Sequence, residues 1–325
     1  MKRRYIKTII GLSIALFTMG SLDSCKVRDD FPEFGEPVEE EPEEDIIPPD
    51  NLMTPMIQSI KDKTNYLKVF QMDTTQTISP GVEYLHARFI NREDVPISIH
   101  IMELDISNPK LTMQALTPYN ENMFAVQNLP EMVKFNQKTA EGKLLAAING
   151  DAVTSGEPTG SFVKFGKVLK TSTSKTRPYI GVKKGSDAIQ FFNSPDATKY
   201  PTDAINLAEI KHLVGGSYFL LYKGEDVSTS SSGAARIAVG INEASTKLYL
   251  MAADGVIANF SAGVALNDLR DMMRAIGCYT AMQPTSGNLT AMTVLDILNP
   301  EQSWINKNFT TTPAGTTNGI GFVLK

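Results

Sequence analysis

From about residue 78 onward, apolar and polar positions alternate in short runs. Ile97, Ile99 and Ile101 are separated by Ser98 and His100, the period-two pattern of a half-buried strand. Leu111, Met113 and Ala115 repeat it, with Pro109 as a turn residue between the two runs. Residues 144–148, 162–169, 218–222, 236–241, 248–252 and 319–324 are further expected strands. Helical spacing occurs twice. One helix is expected over Leu129–Thr139. A second, over Ala265–Ile276, places Leu266, Leu269, Met273 and Ile276 on one face, with Gly277 as its stop. Strands outnumber helices and do not alternate with them regularly. The expected class is α+β, a single large domain with mixed or antiparallel sheets and a few packed helices.

The N-terminal end follows a different pattern. Met1-Lys2-Arg3-Arg4 precedes an apolar run from Ile9 to Met19, too short to span a bilayer well, which reads as a signal peptide over residues 1–24. The run ends in Leu22-Asp23-Ser24-Cys25, which resembles a bacterial lipobox. That resemblance implies a lipid on Cys25 and a membrane partner through it. The next segment, residues 25–60, is rich in Pro and acid, with eleven Asp and Glu and no Lys or Arg between Asp29 and Asp50. Such a stretch buries too little apolar surface to fold and repels itself, so it reads as an extended tether. Acidic residues after a lipidated Cys also resemble the surface-export signal of Bacteroidetes lipoproteins. The expected address is therefore the cell envelope, at the outer membrane, with a periplasmic or an outward orientation both open and the domain occupying residues 61–325.

The tether accounts for the net charge of −5. The remainder is close to neutral with scattered Lys and Arg, which argues against a nucleic-acid partner. Beyond Cys25 the one cysteine is Cys278, set among apolar residues and read as a buried small side chain, so neither a disulfide nor a thiolate zinc site is expected in the domain. His86, His100 and His212 are too far apart in sequence for a compact zinc motif. No phosphate-binding Gly loop and no G-x-S-x-G turn occurs. The pattern assigns no cofactor and no metal.

What remains is a series of polar clusters at the ends of apolar runs: Asn149-Gly150-Asp151, Arg236, Asp254-Gly255, and Ser286-Gly287-Asn288-Leu289-Thr290. Singly each is turn chemistry; polar groups held by buried strands also build sites.

Their order resembles the phosphodiester glycosidase domain family, the relatives of the mannose-6-phosphate uncovering enzyme, with a family core at about residues 144–324. Ile78–Tyr84 resembles the family's entry strand, and Ala146-Ala147-Ile148-Asn149-Gly150-Asp151 its "aiNGdFF" stretch. Gly215-Gly216-Ser217 is similar to "GG.pLL", Arg236–Ile241 to "RTaiGi", and Ala253-Asp254-Gly255 to "vDGr". The family's "AlNLDGGGS" hallmark corresponds to Ala281–Leu289, where Thr285 replaces the acid and Ser286 and Asn288 replace glycines. The resemblance implies a carbohydrate or sugar-phosphodiester ligand. Asp151 and Asp254, with Glu157 in reserve, are then the catalytic carboxylates. Asn149, Thr285, Ser286, Asn288 and Thr290 position the ligand, and Arg236 grips phosphate as a charged fork. These residues are expected to converge on one concave site. A glycosidase and a non-catalytic glycan- or protein-binding relative both fit the altered hallmark.

Overall fold

The computed structural model describes residues 53–194, 204–227, 230–295, 302–308 and 314–325. Cys25, the signal segment and the tether up to residue 52 lie outside them.

Three sheets make the body of the described part. The largest has eight strands. It begins at an edge with β1 (Leu67–Ser79), continues through β2 (Val82–Asn91) and β3 (Pro96–Asp105), and then runs through Lys247–Ala253, Arg236–Ile241, Thr280–Gln283, Tyr218–Tyr222 and Glu225–Asp226. A five-stranded sheet has the order Gln302–Trp304, Met292–Leu295, β5 (Lys143–Asn149), Gly319–Leu324 and β4 (Leu111–Leu116). A second five-stranded sheet is built on Pro178–Lys183 and Ile210–Gly215. Every ladder between neighbouring described strands of these sheets is antiparallel. The molecule is consistent with the expected α+β class, though it is mostly β, with few helices and antiparallel sheets.

Two apolar cores sit on the two faces of the large sheet. On one face Met102, Leu250, Ile237 and Met282 pack against Leu145, Ile148, Met292 and Phe322 of the five-stranded sheet. On the other, Leu85, Phe89, Ile97, Ile99 and Ile101 pack under two helices, α1 (Pro55–Lys63) and α3 (Leu266–Ala275). The alternation in β2 and β3 divides their side chains between these cores. At one end of the first core the same alternation brings in Tyr84, His86, Ser98 and His100 where further apolar residues would otherwise stand.

The expected helices occur. α2 (Leu129–Asn136) is capped by Asn128, whose Oδ1 accepts from the Glu131 N–H at 3.0 Å, and a single 3₁₀ turn, Gln137–Thr139, continues it. Two expected strands are hairpins instead. Within Ile78–Tyr84 the chain reverses at Pro80-Gly81, because proline fixes the first turn position and Gly81 adopts φ +79° at the second. Residues 162–169 break into Phe162–Lys164 and Lys167–Lys170 around Phe165-Gly166. The folded part also begins ahead of residue 61: α1 crosses that boundary and buries Ile57 and Ile60 completely.

Candidate functional site

Asn149 closes β5. Its backbone N–H donates to the Ala291 carbonyl, and its Oδ1 accepts from the Ala291 N–H at 2.8 Å. Its Nδ2 is buried with no protein partner, and so is the hydroxyl of the adjoining Thr290. Buried polar atoms are nearly always hydrogen-bonded, so these two orphans at one strand end single it out as the candidate site. The Thr290 carbonyl accepts from Asn306, and the Asn288 carbonyl accepts from Asn308 Nδ2 at 2.8 Å, which ties this loop to residues 306–308.

Asp151 follows two residues later and is fully buried. Its carboxylate accepts from Arg177 and from the Gly160 N–H. Asn318 brackets its backbone: Oδ1 accepts from the Asp151 N–H at 2.7 Å, and Nδ2 donates to the Asp151 carbonyl at 3.1 Å. Burial pushes the Asp151 carboxyl above its ordinary value, while Arg177 and the Gly160 and Ala152 N–H groups pull it down. A Cβ on Gly215 would stand 2.7 Å from Asp151 Oδ2, so the first glycine of the Gly-Gly pair is explained by this close approach. Arg177 also keeps a buried Nε without a protein acceptor.

At the matching end of the large sheet, Arg236 pairs with Ala253 and bridges to Ser286. Its guanidinium donates to the Val264 carbonyl at 2.9 Å, to Gln283 Oε1 at 3.1 Å and to the Ser232 carbonyl at 2.8 Å. The expected phosphate fork is thus largely engaged in holding its own loops. The Gly287 N–H donates to the Ala235 carbonyl, completing the link to the 285–290 loop, in which Thr285 and Thr290 are buried, Ser286 is half-buried and Asn288 is exposed.

Asp254 comes directly after Ala253. Ala253 and Arg236 share the face that packs on α3, whereas Asp254 is fully buried and turns to the other face, towards His100. The two expected partners occupy one end of the sheet but leave it on opposite faces, which corrects the expectation that they line one concavity. Glu157 is exposed and ion-paired to Lys170 at 2.6 Å, apart from this network. Cys278 is buried, as expected, and burial pushes its thiol up.

The surroundings of Asp254 contain residues that sequence reasoning set aside. The β2–β3 ladder pairs His86 with His100, and the ladder from β3 to Lys247–Ala253 sets Ala252 opposite His100. His100 Nε2 lies 3.3 Å from Asp254 Oδ2, and its Nδ1 is 2.8 Å from the Tyr84 hydroxyl. His86 stacks on His100, with ring centroids 4.5 Å apart and planes 7° from parallel, and its Nε2 lies 3.1 Å from the Ser98 hydroxyl. The other Asp254 oxygen accepts from the Lys307 N–H. Burial lowers the His86 pKa to about 4, with His100 adding to the effect. The imidazole is therefore neutral at pH 7. The sequence signal for this pair is hairpin symmetry about the turn at residues 92–95, not a short motif spacing.

Antiparallel sheets packed face to face, with buried carboxylates and unpartnered amide and hydroxyl groups at one set of strand ends, define a β-rich domain with a polar cluster at its strand termini. The family follows from comparison: the phosphodiester glycosidase family model matches residues 142–323, more than half of the chain, and the chain belongs to that family. No curated protein matches it. Among solved structures, the fold is similar to the catalytic domain of zebrafish N-acetylglucosamine-1-phosphodiester α-N-acetylglucosaminidase, auto-inhibited by its pro-peptide. The TM-score is 0.53 at 18% identity, covering 78% of this chain and 89% of that one. It is also similar to a hypothetical protein from Synechocystis (TM-score 0.55, 12% identity, 78% and 64% covered). A third likeness is to a Burkholderia pseudomallei protein described as exported (TM-score 0.52, 10% identity, 80% and 98% covered). At these identities the likenesses establish the fold.

Proposed function

We propose that this chain is a lipid-anchored protein of the bacterial cell envelope whose domain binds a sugar-1-phosphodiester, or a related envelope glycan, and cleaves its glycosidic bond. The observation that carries this reading is the pair of buried, unpartnered groups, Asn149 Nδ2 and Thr290 Oγ1, at the strand ends of a phosphodiester glycosidase domain. Amide and hydroxyl groups are what recognition of sugar hydroxyls requires. In cleavage, water oxygen bonds to the anomeric carbon and the bond from that carbon to the phosphate oxygen breaks, its electron pair leaving with the phosphate. A phosphomonoester has its second pKa near about 6, so it departs as an anion with little need of a proton donor. One carboxylate acting as base is then enough, which makes the reaction less dependent on a full acid–base pair than ordinary glycoside hydrolysis. Asp254 and Asp151 are the proposed carboxylates. Ser286 and Asn288 border the ligand, and Arg177, with its free buried Nε, suits the phosphate better than Arg236 does.

Binding without turnover is the second reading. It is favoured by the neutral, buried Thr285 at the family's acidic position and by the complete burial of both Asp151 and Asp254. Incubating the full chain with sugar-1-phosphodiesters separates the two: release of phosphomonoester supports the first, and saturable binding without release supports the second.

A further inference from the structure

We infer that His86, His100 and Asp254 form a site for one divalent transition-metal ion of the zinc class. The site shares Asp254 with the hydrolytic reading but is tested by ion binding alone, which does not depend on whether the domain turns over substrate.

The residues come from two strand positions and the residue after a strand end, 14 and 154 residues apart, brought together by the register of neighbouring strands. One ligand atom from each lies within 4.8 Å of the others. The His100–Asp254 separation is informative. At 3.3 Å it stands just beyond the ordinary N–H···O range of about 2.7–3.2 Å. Two ligand atoms each about 2.0–2.1 Å from a tetrahedral ion are about 3.3–3.4 Å apart. The spacing fits two ligands of one ion with little movement of either side chain.

The supporting groups are also those that metal sites use. Tyr84 holds the far nitrogen of His100, and the Lys307 N–H holds the second oxygen of Asp254, so one ring and the carboxylate are fixed before an ion arrives. His86, stacked on His100 with its Nε2 on Ser98, turns out of the stack to join them. Two imidazoles and one carboxylate suit zinc, copper or nickel better than calcium or magnesium, which prefer all-oxygen shells. Three protein ligands leave a fourth position for water or an anion. His86 is half-buried and provides the way in, while Asp254 is fully enclosed. Arg88 and Lys307 both lie over the Phe260 ring, at 4.8 Å and 4.3 Å from its centroid. Their positive charge opposes a bare cation and favours an anionic fourth ligand on it.

The test uses the untagged full chain in detergent, stripped with chelator, titrated with Co²⁺ followed by absorbance and with Zn²⁺ followed by calorimetry. The expected result is one ion per chain, Co²⁺ bands of low coordination number, and displacement of Co²⁺ by Zn²⁺. Tyr84→Phe should weaken binding about 10–100-fold, as loss of a supporting partner does. His100→Ala and His86→Ala should weaken it further, and His212→Ala should leave it unchanged. Should His100→Ala fail to fold, His86→Gln at the half-buried position decides the matter. Absence of stoichiometric binding, or binding that survives His86→Gln unchanged, overturns the proposal.

Discussion

His212 is the clearest case of a side chain whose surroundings set its chemistry. It is buried, its Nδ1 accepts from the Phe165 N–H at 3.4 Å, and burial lowers its pKa to about 3 from an ordinary value of 6.5. Between those values the unfolded chain carries a proton that the folded chain refuses. The contribution is therefore fully present above pH 6.5 and is lost as pH falls from 6.5 towards 3. Denaturant unfolding between pH 7 and 4 should show the native protein losing up to about 1.4 kcal/mol per pH unit more than His212→Gln. Parallel stability curves for the two proteins would contradict this. Individual residues were unevenly legible. Asn149, Asp151 and Asp254 stand out because they follow apolar runs, and Arg236 because it begins one. His86 and His100 do not, because only the hairpin register makes them neighbours. Asn318 and Arg177, which hold Asp151 in place, carry no local pattern at all.

At the scale of elements, legibility followed burial. β3, buried along most of its length in the middle of a sheet, and α3, with one apolar face, were plain in the sequence. β1 was not, because it is an edge strand, largely exposed on both faces, and so has no alternation to read. α1 was hidden for a different reason. Its nine residues offer only Ile57 and Ile60 as fully buried positions, directly after a stretch that reads as tether. Yet it closes the second core: the Ser59 hydroxyl donates to the Ala275 carbonyl at 2.6 Å, and Lys63 donates to the same carbonyl at 3.2 Å, at the C-terminal end of α3. Ile57→Ala and Ile60→Ala should each cost about 2–5 kcal/mol, the range for emptying a packed aliphatic site. Chemical denaturation of the two variants checks this. Losses below about 0.5 kcal/mol, usual for surface positions, would mean that α1 is an ornament and not part of the core.

The whole molecule combines a proposed lipid anchor with a domain of the phosphodiester glycosidase family. Acylation of Cys25 predicts that a fatty-acid probe labels the chain in cells and that Cys25→Ala abolishes the label; a freely soluble, unlabelled mature protein would refute it. The family was legible because its stretches keep their order along the chain, whereas the site's final shape was not, since it depends on which sheet face each strand end presents. Arg236 and Asp254 illustrate this: adjacent in the family pattern and at one end of one sheet, they emerge on opposite faces. The altered hallmark also bears on rate. Thr285 cannot act as an ionised carboxylate at neutral pH, and Ser286 and Asn288 reshape the loop around it, so Thr285→Asp alone should not restore a full family rate. The most direct measurement is steady-state hydrolysis of a sugar-1-phosphodiester by the full chain, with Asn149→Ala and Thr285→Asp alongside. The account predicts slow release of phosphomonoester, below the range of about 1–1000 per second common among enzymes, lost in Asn149→Ala and not raised to that range by Thr285→Asp. Neither release nor binding of any such diester, or release that Asn149→Ala leaves untouched, would contradict it.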